Sequence, residues 1–186
     1  ARTMQLLERA GASGVQVEDQ LDTKPSGDPL GRPLVSTAEM VSKIKAMLDA
    51  RRDEALVVSA RSDAAGSEGL DAALDRVAAC AEAGADMIFV EGIKTRSDMM
   101  RLVTAIGPKK PLLHNLLRIG EEVQDAATLQ ALGYSVALFP GVAVQAVGGA
   151  LDSAFAALAA KPQLSGTGKQ PDRIGAADYL ASIPTS

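Results

Sequence analysis

Two rhythms of hydrophobic and polar positions alternate along the chain. Short β-rich runs begin near Val15, Leu56, Met87, Pro111 and Val136, and a helix-like stretch follows each, over about 36–52, 68–83, 94–106, 123–132 and 141–160. An amphipathic helix body, Arg2–Arg9, precedes the first run without a start signal, which reads as a chain entered partway through an element. Three junctions share one device, a small or apolar residue followed by glycine just before a strand: Ala10-Gly11, Ala83-Gly84 and Leu132-Gly133. Glycine suits the residue after a helix because it accepts positive φ without a Cβ clash.

Helix and strand recurring in this way predict an α/β fold of five βα units with a parallel sheet. Two architectures fit: an open, doubly wound sheet of five strands, or a partial (β/α)₈ TIM-barrel type fold lacking three units. The 186 residues fall short of the roughly 250 typical of a closed barrel. Residues 1–160 are read as this body, and 161–186 as a linker, polar over Ser165–Pro171, plus a last short helix over about 173–182 that docks on its own body or on a neighbouring subunit.

Composition narrows the function classes. A formal charge of −4, with 47% hydrophobic residues, argues against intrinsic disorder and against a basic nucleic-acid binder. No uninterrupted apolar run approaches the roughly 18 residues needed to cross a bilayer, and Val142–Ala160 is broken by Gln145, Gly148, Gly149 and Asp152, so no membrane partner is expected. The single cysteine, Cys80, reads as a helix packing residue in a cytoplasmic protein.

Candidate chemistry collects where strands end, the face on which parallel α/β folds gather their βα loops. The first strand ends in Glu18-Asp19-Gln20, the second in Arg61-Ser62-Asp63, the third in Glu91-Gly92, and the fourth carries His114-Asn115. Charges directly after apolar runs are costly to desolvate unless paired or liganded. Taken singly, each fits an internal ion pair such as Glu18 with Arg61; taken together they point to a site. The loop from Leu21 to Ser36, rich in Pro and Gly and holding Lys24 and Ser26, has the length of an active-site lid. His114, inside an apolar run, is expected to be a hydrogen-bonded core histidine. No zinc cluster, GxGxxG or P-loop is present, and Gly166-Thr167-Gly168-Lys169 lacks the strand a P-loop needs.

Three segments resemble motifs of the isocitrate lyase/phosphoenolpyruvate mutase superfamily. Gly11–Gln20 resembles its "GAxGxxIEDQ" strand, Ala60–Ala64 its "ARTDA", and Ala83–Gly92 its "AGADxIFxEG", with Pro111–Asn115 similar to "PLLxN". The likeness runs in order from residue 1 to about 160 and favours the barrel, of which the chain would match the last five units. It implies a C-terminal helix exchanged between subunits, a homo-oligomer (dimer or tetramer), and Mg²⁺ as cofactor, with the metal-holding aspartates in a front part outside this chain.

Carried over by position, the resemblance implies that Glu18 holds the metal's water shell, Arg61 clamps a substrate carboxylate, and Glu91 and Asn115 bind substrate oxygens. The family's "KRCGH" lid motif falls on Lys24–Asp28, where Lys24 and Gly27 match but Ser26 replaces the cysteine and Asp28 the histidine. A hydroxyl is a much weaker proton donor than a thiol at neutral pH. Leu117 and Arg118 also stand where "TE" is common. The expectation is a Mg²⁺-dependent lyase or decarboxylase of carboxylic acid metabolism, acting on a small 2-oxo or 2-hydroxy dicarboxylate through an enolate, with Arg61, Lys24 and Ser26 as catalytic candidates. A C–P bond forming or cleaving activity, and a truncated, catalytically silent barrel, are the alternatives.

Overall fold

The computed structural model describes residues 1–21, 33–117 and 121–162. Two compact units divide the chain, 1–141 and 142–186. Lys24, Ser26 and Asp28 of the expected lid, Arg118, and the expected linker and last helix beyond residue 162 lie outside the described residues.

The first unit is built on five strands: β1 (Gly14–Glu18), β2 (Val57–Ser62), β3 (Met87–Val90), β4 (Leu112–Asn115) and β5 (Val136–Leu138). All neighbouring pairs are parallel and the spatial order is β1-β2-β3-β4-β5, identical to the sequence order. A doubly wound sheet reverses its strand order at a switch point, whereas this sheet never reverses. Right-handed crossovers repeated in one direction put every connecting helix on one face and curl the sheet into a half-barrel, which excludes the open doubly wound alternative.

Side-chain alternation then sorts the residues into two layers. Val58, Ala60, Ile88, Val90 and Leu112 point outward into a core closed by the helices. Those helices are α2 (Thr37–Ala50), α4 (Leu70–Glu82), α5 (Arg96–Ile106) and α6 (Ala126–Leu132). Ile44, Val77, Met99, Leu102, Ile106 and Leu129 are the large side chains these helices bury fully. The opposite parity, Glu18, Arg61, Phe89 and Asn115 among them, faces inward.

Local chemistry explains the element ends. Ser36, Thr95 and Asp125 each accept a hydrogen bond from the backbone N–H three residues on, capping α2, α5 and α6. Gly11, Gly84 and Gly133 all adopt positive φ (85°, 107° and 108°), as the junction pattern predicts. At Gly84 a Cβ would also lie 2.8 Å from Leu48 Cδ1. The stretch expected as a helix over 68–83 is the single helix α4, and Gly69, at φ 91°, sets it off from a separate short turn, α3 (Ala64–Ser67), that the sequence reading did not include. Helix α1 (Arg2–Arg9) buries Met4, and Glu8 accepts hydrogen bonds from the backbone N–H groups of Arg52 and Asp53.

The described part of the second unit is α7 (Val142–Ala160), 19 residues with a mean hydropathy of 1.5 in its most apolar window. The helix runs through Gln145, Gly148, Gly149 and Asp152, which still break its apolar run, and by length and composition alone it meets the threshold for crossing a bilayer. Apolar core helices of soluble proteins meet the same criterion.

Candidate functional site

Strand register brings the four sequence-predicted site residues onto one inward face. Glu18 pairs in register with Arg61, Arg61 with Phe89, and Asn115 closes β4. Glu91 follows β3 directly. All of them stand at the C-terminal ends of their strands, where a barrel keeps its chemistry.

Arg61 is the centre of the cluster. Its Nε and Nη2 donate to the two oxygens of Asp63 at 3.1 and 2.7 Å, a bidentate fork. Nη2 also lies 3.2 Å from Glu91 Oε2, and Nε lies 3.4 Å from Glu18 Oε2. The guanidinium sits 5.1 Å from the centre of the Phe89 ring, and Asn115 Nδ2 donates to Glu91 Oε2 at 3.1 Å. Burial by itself would lower the pKa of Arg61, but the Asp63 hydrogen bond and charge, then the charges of Glu91 and Glu18, outweigh it and hold it above its ordinary value. Arg61 is therefore a permanent cation on a face that carries excess negative charge. Its remaining nitrogen, Nη1, donates no hydrogen bond among the described residues.

The other polar residues at the strand ends serve the framework. Asp19 points outward and is 1% exposed; it accepts from Ser62 Oγ at 2.6 Å and from the Asp63 backbone N–H at 2.9 Å. His114 lies in the outer layer, as its apolar setting predicts, with its ring edge-on to Tyr134 at 5.6 Å. The expectation that it is hydrogen-bonded fails: neither ring nitrogen has a partner among the described residues, and burial lowers its pKa. Cys80 packs in the core as expected; burial, with the charge of Asp19 adding and that of Arg76 opposing, pushes its thiol up to about 11.

Two site residues escaped the sequence reading. Asp63 stood in the second motif without a role, yet it is the main partner of Arg61; the i, i+2 spacing of opposite charges was the available signal. Arg76, on α4, had no signal at all, because its partners Glu68, Val35 and Asp19 come from three other segments.

A singly wound parallel half-barrel with an inward-facing arginine–carboxylate cluster at its strand ends defines the class: a (β/α)-barrel protein of the TIM-barrel type. The chain belongs to the phosphoenolpyruvate mutase/isocitrate lyase superfamily; residues 1–159 match the phosphoenolpyruvate phosphomutase family model. A probable 2-methylisocitrate lyase of Corynebacterium glutamicum is 38% identical over 175 residues, covering 94% of this chain and 54% of the relative. A crystal structure of 2,3-dimethylmalate lyase superimposes with a TM-score of 0.83 at 29% identity, covering 92% of this chain and 59% of that one. Phosphonopyruvate hydrolase in complex with oxalate and Mg²⁺ gives 0.74 at 27% identity, covering 97% and 62%. The chain thus spans about half the length of the curated relatives it matches.

Proposed function

We propose that this chain carries the carboxylate-clamping half of the active site of a Mg²⁺-dependent carbon–carbon lyase, acting on a small 2-oxo or 2-hydroxy dicarboxylate. One observation carries the reading: the inward-facing cation Arg61, held by Asp63 through one edge of its guanidinium, keeps Nη1 available for a ligand oxygen. In this reading a substrate carboxylate approaches Nη1, and the charge-assisted hydrogen bond fixes its orientation. Asn115, whose amide nitrogen is given to Glu91, offers its Oδ1 to a substrate hydroxyl. Phe89, lying under the guanidinium, keeps one side of it dry.

The donor set bears on the metal. Among the described residues no group of three or more His, Cys, Asp or Glu side chains could hold a metal ion directly. An inward carboxylate at a strand end, such as Glu18, suits the outer shell, where it accepts hydrogen bonds from metal-bound water; this is the place we assign it. When bound, Mg²⁺ supplies stabilisation of the enolate charge that develops on cleavage next to a 2-oxo acid. Direct ligands belong, in this reading, to the part of the enzyme outside the matched half. Lys24 and Ser26 stay sequence-based candidates for lid contacts. A homo-oligomer in the cytoplasm, with residues 161–186 as linker and exchanged helix, completes the proposal.

Ser26 and Asp28, in place of the family's lid cysteine and histidine, favour a second reading, C–P bond chemistry on a 2-oxo phosphonate. A substrate panel of 2-methylisocitrate, 2,3-dimethylmalate and phosphonopyruvate separates the two. The primary test is calorimetric titration of oxalate, an enolate mimic, into the chain with Mg²⁺ in the buffer, near 0.15 M ionic strength. Saturable binding that weakens about 10-fold or more in Arg61→Lys, which keeps a charge but has no nitrogen at the Nη1 position, supports the clamp. Absence of binding by a folded wild-type sample overturns it and leaves the catalytically silent barrel.

A further inference from the structure

The outer layer behind Arg61 contains a second ionic network that the anion clamp does not itself use. Arg76 projects from α4 with its side chain 13% exposed. Its Nε and Nη2 donate to the two oxygens of Glu68, each at 2.9 Å, and Nη1 donates to the Val35 carbonyl at 2.9 Å. Nη1 also lies 3.7 Å from Oδ2 of Asp19, a carboxylate that is 1% exposed. The Val35 N–H donates back to the Asp19 carbonyl at 2.7 Å, so Arg76, Val35 and Asp19 form a closed ring.

The ring leads to the site through the α3 turn. Asp19 receives the Ser62 hydroxyl and the Asp63 N–H, and Ser62 Oγ in turn accepts from the Ala64 N–H at 3.3 Å. Glu68 closes the far end of the same turn. The segment that carries Asp63 is thus held at its start by Asp19 and at its finish by Glu68, and Arg76 is, among the described residues, the cation that meets both carboxylates. Nothing else among the described residues neutralises Asp19. Cys80, one turn further along α4, lies within the electrostatic reach of both Asp19 and Arg76.

We propose that Arg76 is a positioning residue for the Arg61 clamp: by holding Asp19 and Glu68 it fixes the 63–68 turn, and so sets the Asp63 carboxylate that aims the Arg61 guanidinium. The clamp's function rests on the reading above, but the relay itself does not, and the two are tested separately.

The direct readout is the Nε–H resonance of Arg61 in ¹H–¹⁵N spectra of the whole chain, assigned by its loss in Arg61→Lys. In Arg76→Gln we expect this resonance to shift and its exchange with water to speed up about 10-fold, the scale on which supporting residues act on the groups they orient. Arg76→Lys, which retains a cation near Asp19, restores most of the protection. Arg101→Gln, which removes an exposed pair with Asp71, changes nothing. A merely structural arginine would lower the melting temperature and leave the Arg61 signal where it is; that result in folded Arg76→Gln overturns the proposal. Should Arg76→Gln not fold, Ser62→Ala decides, since it deletes one hydroxyl of the relay and must move the same signal.

Oxalate calorimetry forms the second arm. Weakening in Arg76→Gln parallel to the Nε–H change shows that the relay reaches ligand binding. If wild-type chain binds no oxalate while the Nε–H signal responds to Arg76, the clamp reading fails and the relay stands.

Discussion

Removing the Arg61 cation exposes how the cluster is stabilised. Arg61→Met keeps much of the side-chain volume over Phe89 but removes the cation that three carboxylates share. They are not equivalent. The Glu18 and Glu91 side chains are 24% and 21% exposed and can recover water, so each loses about 1 kcal/mol or less. Asp63, with a side chain 3% exposed and both oxygens on Arg61, cannot. Breaking a buried pair from one side costs about 3–5 kcal/mol, and that figure dominates the expected loss. Replacing both partners, as in Arg61→Met/Asp63→Leu, removes the stranded charge and brings stability back to within about 1–2 kcal/mol of wild type. Urea unfolding at pH 7, followed by circular dichroism with unchanged slope, measures both variants. A single variant that loses under about 1 kcal/mol, or a double variant as unstable as the single, refutes the buried-pair reasoning.

Two titrating groups give further expectations. The Cys80 thiol, raised from 9.0 to about 11, has about 100-fold less thiolate at pH 8 than an ordinary cysteine, so alkylation by iodoacetamide is slowed by at least that factor; labelling at the rate of free cysteine contradicts its burial. For His114 the folded pKa lies below its ordinary 6.5, so below that value the unfolded chain binds more protons. Its contribution to stability is complete above about pH 6.5 and is lost as pH falls from there toward the lowered value. His114→Phe removes this slope from stability measured between pH 7 and 5, and an unchanged slope shows that other groups produce it.

The number, order and spacing of the βα units were legible in the sequence, because short β-rich runs, helix-like stretches and helix-ending glycines are local signals. Gly11, Gly84 and Gly133 carry the fold punctuation in themselves: only φ above zero satisfies those turns cheaply. Glu18, Arg61, Glu91 and Asn115 were legible for a related reason, since polar residues after apolar runs mark the strand ends on which barrel sites gather.

Winding direction and charge partnership were settled only in three dimensions. A single sheet order, β1 to β5 without reversal, distinguishes the half-barrel from an open sheet, and no residue pattern encodes that order locally. Asp63 rather than a substrate takes the Arg61 fork, and Arg76 gathers Val35, Glu68 and Asp19 from segments separated by up to 57 residues. Hydrophobic periodicity is a property of neighbours along the chain. Electrostatic partnership is a property of neighbours in space, fixed once the parallel register has placed the strand ends side by side.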